Sequence, residues 1–169
     1  AGDVHRQFLL EPNPAIWHRD FGEMRRAGVN IVRTGIWTGW SRYMPEPGRM
    51  NEHALRALDA FMLTAAAHDM AVVFTFFAFT PPLWGGVNPY LDPKAADAQA
   101  SFVTAIVSRY TEMKGVTWDL INEPSVCSPQ RLWSTRPNYD DFEARAWRDW
   151  LAARFSSSSE AELDARLQE

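Results

Sequence analysis

The sequence has little cysteine and no long hydrophobic run. Cys127 is the only cysteine in 169 residues, so no internal disulfide can form and the redox compartment stays undetermined. The longest apolar run, MAVVFTFFAF, is far shorter than the ~20 residues of a membrane-spanning helix. The first residues, AGDVHRQFLL, lack the pattern of a signal peptide, although a start without Met leaves a removed leader open. We therefore expect a soluble protein without a membrane partner, either secreted or cytoplasmic.

Positive charge is not in excess either. The chain has 17 Lys and Arg against 21 Asp and Glu, mixed along its length, so no basic surface for nucleic acid is expected. No glycine-rich fingerprint for a dinucleotide or phosphate follows an apolar run, which argues against a nucleotide cofactor. The four histidines show no spacing typical of metal ligands, so no metal site is predicted.

Apolar and aromatic residues are plentiful. Hydrophobic residues make up 46% of the chain, enough for a sizeable core. The eight Trp, ten Phe and four Tyr residues include several next to Gly and Pro, where loops are expected. Aromatic rings on loops suggest a ligand with flat apolar faces, such as a sugar.

Helices are predicted where capping residues precede apolar stripes. Ser159 with Glu162 forms a capping box that predicts one more short helix near the C-terminus. The predicted buried stripe of the fourth long helix consists of Phe142, Ala146, Trp147, Trp150 and Leu151. The caps of the four long helices are Asn13 followed by Pro14, Asn51, Asp92 followed by Pro93, and Asn138.

Three β-branched or apolar runs predict strands: VNIVRTGIW (29–37), AVVFTFFAF (71–79) and VTWDLI (116–121). A predicted helix separates each strand from the next, which is typical of a parallel sheet in an α/β fold. The almost continuous apolar character of the second run suits a strand covered on both faces. Long loops follow each strand at the carboxyl edge, where parallel-sheet enzymes bind their ligands.

The third predicted strand ends in polar residues, in the stretch VTWDLINEP. A buried strand avoids polar groups because each loses water and must find a partner. Burial of Asn122 and Glu123 at this position is therefore unfavourable, which suggests that they belong to a functional site. Pro124 ends the strand because it has no N–H to donate.

The stretch WDLINEP resembles the fourth-strand signature of the clan of (β/α)8 glycoside hydrolases that includes the family 5 cellulases and mannanases and the family 42 β-galactosidases. The resemblance implies a partial (β/α)8 TIM barrel, comprising about strands 2 to 4 with their helices. Four further stretches agree in order with the clan: DFGEMRRAGVNIVRTGIW, YMPEPGRMNEHALRALDAFMLTAAAHDMAVVF, TPPLWGG and WRDWLAARFSSSSEAELDARL.

The resemblance also implies roles for three residues. Glu123 matches the general acid/base of the clan, which an aromatic-walled cleft would keep protonated until the substrate arrives. Asn122 matches the residue that hydrogen-bonds the sugar 2-hydroxyl. Arg33 matches an arginine beneath the nucleophile, but a structural ion pair at a strand end explains it equally well.

Three tryptophans follow the predicted strands on the expected ligand side. Trp37, Trp40 and Trp84 are candidates for stacking on a pyranose face, with core packing as an equal alternative for each. Trp118 and Asp119 lie within the third strand, where we expect packing for the indole and a structural hydrogen bond for the carboxylate. Glu46 is interpreted as a surface charge.

These interpretations predict a retaining glycoside hydrolase that acts on β-linked sugars in an oligo- or polysaccharide. Residues 1–169 would form the N-terminal half of the catalytic barrel, with a core at 15–155 and a short C-terminal helix or tail at 156–169. The nucleophile of the clan ends the seventh strand, for which this chain has no candidate. We therefore expect the remaining half of the barrel to lie in the same or another chain.

Two other functions remain open. A non-catalytic carbohydrate-binding or vestigial half-barrel would keep the strand signature without a nucleophile. A reading frame that continues for ~100 or more residues and supplies a strand-end glutamate would favour the hydrolase. A metal-dependent barrel enzyme is disfavoured because the first two strands end without carboxylates.

Overall fold

The computed structural model describes residues 12–124 and 140–155, together with residues 159, 161, 162 and 165. Helices and strands alternate along this part of the chain, as the sequence predicts. The helices are α1 (Pro14–Arg26), α2 (Trp40–Tyr43), α3 (Glu52–Ala67), α4 (Pro93–Val107) and α5 (Asp141–Arg154), with a 3-10 turn at Ser108–Tyr110. The strands are β1 (Ile31–Gly35), β2 (Ala71–Ala78) and β3 (Val116–Asn122).

Capping side chains start the helices, and three of the four predicted caps are confirmed. The side chain of Asn13 accepts from the backbone N–H of Ile16 at the start of α1. Asn51 and Asp92 do the same at α3 and α4. The predicted cap of the fourth long helix is wrong: Asn138 lies outside the described residues, and the cap of α5 is Asp140, which accepts from the N–H of Glu143 at 3.0 Å.

The three strands form a parallel sheet in the order β1-β2-β3, which confirms the predicted α/β class. Gly35 pairs with Thr75, and Thr75 pairs with Asp119, so these residues form one row across the sheet. Gly35 has no side chain in this row because a β-carbon there would overlap the carbonyl oxygen of Thr75. Arg33 lies two residues earlier on β1 and therefore on the same face.

The hydrophobic core lies between the other face of the sheet and the helices. Phe74 and Phe76 of β2 are fully buried. Trp118 of β3 packs against both, with its ring stacked on Phe76 at a centroid distance of 5.5 Å, as predicted for this indole. Phe102 of α4 covers the end of the strand and stacks on Phe77 at 5.8 Å. Burial of these rings supplies the main stabilisation, at about 25 cal/mol per Å² of apolar surface.

A charged cluster joins α3 to the turn after α4. Asp59 accepts from Nε and Nη2 of Arg109 at 2.7 and 2.6 Å, and from the hydroxyl of Tyr110 at 2.8 Å. The hydrogen bonds from Arg109 hold the pKa of the Asp59 carboxyl below its usual value, against partial burial, which raises it. The bidentate geometry makes this pair stronger than an ordinary surface ion pair.

We expect Asp59→Asn to lower the free energy of unfolding by about 1–2 kcal/mol at pH 7, since about a third of each side chain is in water. The folded-state pKa of Asp59 lies below the unfolded-state value of about 3.9. The stabilisation is therefore present above that value and is lost as the pH falls through the folded-state pKa. Urea unfolding at pH 7 and at about pH 3 checks this, with Asp97→Asn on the exposed face of α4 as the control. A difference from wild type that stays constant over this pH range contradicts the prediction.

The loop between β2 and α4 is tied to the start of α5 by Asn88. This side chain is 1% exposed. Its Nδ2 donates to Asp140 at 2.8 Å and to Glu143 at 3.1 Å. Its Oδ1 accepts from the N–H groups of Tyr90 and Leu91. Asn88 thus uses both ends of its amide, and the cap of α5 depends on a residue more than fifty positions earlier.

The prediction that one face of α5 is buried is wrong for most of its residues. Leu151 is its one buried residue within the described chain, at 2% exposure. Trp147 and Trp150 are 43% and 47% exposed, and their rings stack on each other at 4.8 Å with an angle of 10°. The periodicity predicts an apolar face, but the described residues do not cover it. The capping box near the C-terminus is confirmed, since Ser159 and Glu162 hydrogen-bond reciprocally.

Candidate active site at the carboxyl edge of the sheet

Backbone strain marks the edge of the sheet where the three strands end. In the described chain, Trp37 follows β1, Phe79 follows β2 and Glu123 follows β3, with φ angles of 56°, 63° and 49°. This left-handed region is unfavourable for residues other than glycine, by about 1–3 kcal/mol each. Such strain is concentrated at functional sites because the surrounding structure must hold it in place. Asp69, before β2, and Trp84 also have positive φ angles, but the edge that the sequence predicts as the ligand side has one such residue after each of the three strands.

Arg33 connects β1 to β3 at this edge. Its Nη2 donates to Oδ2 of Asp119 at 2.6 Å and to Oδ1 of Asn122 at 3.0 Å. The guanidinium carbon also lies 5.3 Å from the ring centroid of Trp37, within the range of a cation–π contact. The structural ion pair, one of the two interpretations of Arg33 from the sequence, is present with Asp119. The other interpretation, an arginine beneath the nucleophile, stays a prediction.

The contact with Arg33 determines which way the amide of Asn122 points. A guanidinium has only N–H donors, so the atom of Asn122 that faces it must be the carbonyl oxygen. The amide nitrogen then carries its two N–H donors away from Arg33. Asn122 is therefore oriented to donate hydrogen bonds on the side opposite Arg33.

Asp119 is held as a carboxylate within the same network. Hydrogen bonding from Arg33 holds the pKa of the Asp119 carboxyl below its usual value, against a smaller opposing effect of burial, and Thr75 adds to the lowering. Thr75 is fully buried and donates its hydroxyl to Oδ2 of Asp119 at 2.8 Å. The expected structural hydrogen bond of Asp119 is confirmed, and the residue stays charged over the neutral pH range.

Glu123 follows directly after this network but is exposed in the described chain. The sequence predicts a partly apolar cleft around its carboxyl group, and the described residues do not form one. Three strands supply only part of a barrel rim, so solvent reaches the position from the open side of β3. Its backbone conformation is nevertheless fixed, because the carbonyl of Asn122 accepts from the N–H of Phe79 at 2.8 Å.

Two of the three candidate tryptophans lie near the surface of this edge. Trp37 and Trp40 are both half-buried. Trp37 contacts the guanidinium of Arg33 and so belongs to the same group as Asn122. The ring of Trp40 instead packs edge-on against Trp84, with centroids 5.0 Å apart.

Trp84 lies in the core, which corresponds to the packing alternative for this residue. It is 8% exposed, and its indole N–H donates to the carbonyl of Met44 at 3.0 Å. Its ring also contacts Phe77 and Phe102. The loop that carries Trp84 folds back over the sheet, so neither face of the indole is open to a sugar.

Sequence reasoning did not connect Thr75 and Asp119 to the candidate site. The available signal was a threonine inside the apolar run AVVFTFFAF and a carboxylate inside the run VTWDLI. Within residues 12–124 and 140–155, no three His, Cys, Asp or Glu side chains lie close enough together to hold a metal ion. Of the helices in that same part of the chain, none is both long and apolar enough to cross a membrane.

The family model for cellulase, glycosyl hydrolase family 5, matches residues 9–156. This match covers most of the chain, so the chain belongs to glycosyl hydrolase family 5. The resemblance to the (β/α)8 glycoside hydrolase clan is thereby confirmed, and the parallel α/β unit described above is part of such a barrel.

Curated relatives extend over the same region. A β-galactosidase, BgaA, from Thermus sp is 28% identical over 166 residues, covering 85% of this chain and 24% of that protein. A β-galactosidase from Thermus thermophilus is 27% identical over 164 residues, covering 83% of this chain and 24% of that protein. The chain thus spans about a quarter of the length of these curated relatives.

Solved structures share the fold. A GH5_18 structure from Bifidobacterium longum subsp. longum ATCC 55813 superposes with a TM-score of 0.61 at 15% identity, covering 92% of this chain and 40% of that chain. The exo-β-1,4-mannosidase Op5Man5 from Opitutaceae bacterium strain TAV5 superposes with a TM-score of 0.55 at 19% identity, covering 63% of this chain and 20% of that chain. At these identities the likeness bears on the fold alone.

Proposed function

We propose that this chain supplies the acid/base part of a retaining glycoside hydrolase that acts on β-linked sugars in oligo- or polysaccharides. The observation that carries the proposal is the hydrogen bond from Arg33 to Asn122, directly before Glu123 with its strained backbone. The names of the relatives support the substrate class, since they include β-galactosidases and an exo-β-1,4-mannosidase.

Glu123 is the general acid/base in this proposal. In the first step a second carboxylate attacks the anomeric carbon, the glycosidic C–O bond breaks, and the proton of Glu123 passes to the leaving oxygen. In the second step the Glu123 carboxylate takes a proton from water. That water attacks the anomeric carbon and releases the second carboxylate.

Asn122 and Arg33 act on the sugar and on the charge of the site. The amide nitrogen of Asn122 is oriented to donate to the sugar 2-hydroxyl, a contact that strengthens toward the oxocarbenium-like transition state. The positive charge of Arg33 would favour an ionised nucleophile nearby. Trp37, half-buried beside Arg33, is the aromatic residue best placed to line the sugar site, and Trp40 extends the same rim.

The nucleophile comes from outside the described residues in this proposal. Asp119 is a poor candidate, because its Oδ2 accepts from both Arg33 and Thr75. A carboxylate used in this way is stabilised and less nucleophilic. The second carboxylate, about 5 Å from Glu123 in a retaining enzyme, would then be supplied by the remaining half of the barrel in the same or another chain.

The stereochemistry of hydrolysis tests the proposal. The complete barrel that contains residues 1–169 is incubated with aryl β-galactosides, β-glucosides and β-mannosides, and proton NMR follows the first sugar released. We expect the β-anomer to appear first and the α-anomer only later, by mutarotation. Initial release of the α-anomer would contradict the retaining mechanism.

A non-catalytic carbohydrate-binding half-barrel is the second candidate, because Trp37 beside Arg33 offers a sugar-binding surface that needs no second carboxylate. This alternative predicts sugar binding without hydrolysis of any glycoside in the panel. Calorimetric titration with oligosaccharides, alongside the NMR assay, distinguishes the two functions.

A further inference from the structure

Asp119 lies in the middle of β3 rather than at its carboxyl end. It pairs with Thr75 across the β2-β3 ladder, and its side chain is 28% exposed. Val72, Phe74 and Phe76 of β2 belong to the core on the helix side, so Thr75 lies on the opposite face by the alternation of a strand. Asp119, the partner of Thr75, therefore lies on the face that a closed barrel would enclose.

One nitrogen atom links Asp119 to the predicted sugar-binding residue. Nη2 of Arg33 has two N–H groups; one meets Asp119 at 2.6 Å and the other meets Asn122 at 3.0 Å. The shorter contact is with the charged partner, as expected for a charge-assisted hydrogen bond. The position of Asp119 thus determines where the donor for Asn122 lies.

Asp119 is itself fixed from the other side. The buried hydroxyl of Thr75 donates to the same oxygen, Oδ2, at 2.8 Å. The side chain of Arg33 is 46% exposed and has several rotatable bonds, so without this anchor it would lose its single orientation. The amide of Asn122 would then be free to turn its oxygen toward the sugar.

We propose that Asp119, anchored by Thr75, is a positioning residue for recognition of the sugar 2-hydroxyl. It acts through Arg33 on the amide of Asn122 and does not itself touch the substrate. This inference rests on the proposed function and adds to it the residue that sets the geometry of the 2-hydroxyl contact. The low pKa of the Asp119 carboxyl agrees with a role as a permanent anion.

The chain offers a matched control in a second aspartate that forms an ion pair with arginine. Asp59 lies 2.6 Å from Arg109, and its side chain is 29% exposed. Its other partner is Tyr110, in the turn after α4. Loss of charge at Asp59 therefore reproduces the loss of a comparable ion pair without altering the candidate site.

The experiment compares two substrates in the complete barrel: the aryl β-glycoside that the wild type hydrolyses fastest, and its 2-deoxy analogue. We expect Asp119→Asn to lower kcat/KM about 10- to 100-fold on the 2-hydroxy substrate, as for other groups that orient a binding residue. On the 2-deoxy substrate we expect a clearly smaller loss, because the 2-hydroxyl contact is absent and only the effect of a displaced Arg33 on the nucleophile remains. Asp59→Asn should leave both values unchanged at a temperature where it is folded.

Two further variants separate positioning from stability. Thr75→Val removes the anchoring hydroxyl and keeps the shape of the side chain, so it should cause a smaller loss with the same dependence on the substrate. In an Asn122→Ala background, Asp119→Asn should cause no more loss on the 2-hydroxy substrate than it causes on the 2-deoxy substrate, since Asp119 and Asn122 act on the 2-hydroxyl in one chain of contacts. Circular dichroism checks that each variant is folded.

The outcomes distinguish the inference from the function on which it rests. A wild type that hydrolyses neither substrate overturns the proposed function and the inference with it. An active wild type in which Asp119→Asn loses equally on both substrates overturns the inference alone. So does a loss that adds in full to that of Asn122→Ala, or a Thr75→Val variant whose loss is independent of the 2-hydroxyl.

Discussion

Glu123→Gln in the complete barrel is expected to lower kcat/KM for glycosides with poor leaving groups by about 10²- to 10⁴-fold, the contribution of a positioned general acid. Glutamine keeps the shape of the side chain and the strained backbone, but it has no proton to give to the departing oxygen. Aryl glycosides whose leaving groups are good acids need less protonation, so their loss in the first step should be much smaller.

Steady-state kinetics on a series of aryl glycosides with different leaving-group acidities measures this difference. Glu46→Gln is the matched control, because Glu46 is an exposed glutamate in the connection between β1 and α3 and pairs with Arg49 at 2.8 Å. We expect it to retain wild-type rates. An equal loss across the series for Glu123→Gln would contradict the acid role, as would a comparable loss for the control.

Asn122→Asp is expected to lower kcat/KM by about 10²- to 10³-fold, as does the removal of a single well-placed donor in other enzymes. Aspartate has the shape of asparagine, and its oxygen can still accept from Arg33. It lacks the N–H group that the structure directs away from Arg33, so the donor to the sugar 2-hydroxyl is lost. The loss should therefore fall mainly on kcat, because that contact strengthens in the transition state.

The same kinetics with Asn122→Ala shows whether the donor or the whole side chain matters. We expect the two variants to lose similar amounts, and Asn30→Asp, an exposed substitution before β1, to lose nothing. Wild-type activity in Asn122→Asp would contradict the assigned orientation of the amide, since an acceptor would then serve as well as a donor.

Local features of the sequence predict most of the fold. Asn13, Asn51 and Asp92 start helices because their side chains reach backbone N–H groups within three residues. The strands follow from apolar runs between such helices, and their order then favours a parallel sheet. The start of α5 was predicted two residues early, at Asn138, although Asp140 with Glu143 three residues later is itself a capping signature. The contact of Asp140 with Asn88 has no local pattern in the sequence.

The candidate site was predicted in its residues but not in its contacts. Arg33 and Asn122 are 89 positions apart, and only the register of two strand pairs brings them together. Trp84 shows a second limit: its place after a strand left stacking on a sugar and core packing equally open, and its N–H binds the carbonyl of Met44 inside the core. An aromatic residue on a loop does not reveal by itself which way the loop folds.

The absence of a side chain at Gly35, beside Thr75, has a consequence for the position of Arg33. A β-carbon at Gly35 would push β1 away from Thr75, and Arg33 would move with it. The guanidinium reaches over β2 to β3, where contacts of 2.6 and 3.0 Å leave little room for such a shift. The distance between β1 and β2 therefore determines whether Arg33 can reach Asp119 and Asn122 on β3. Gly35 and Arg33, two residues apart on β1, are constrained for different reasons: Gly35 must leave space for the backbone of Thr75, and Arg33 must place its charge beside Asp119 and Asn122.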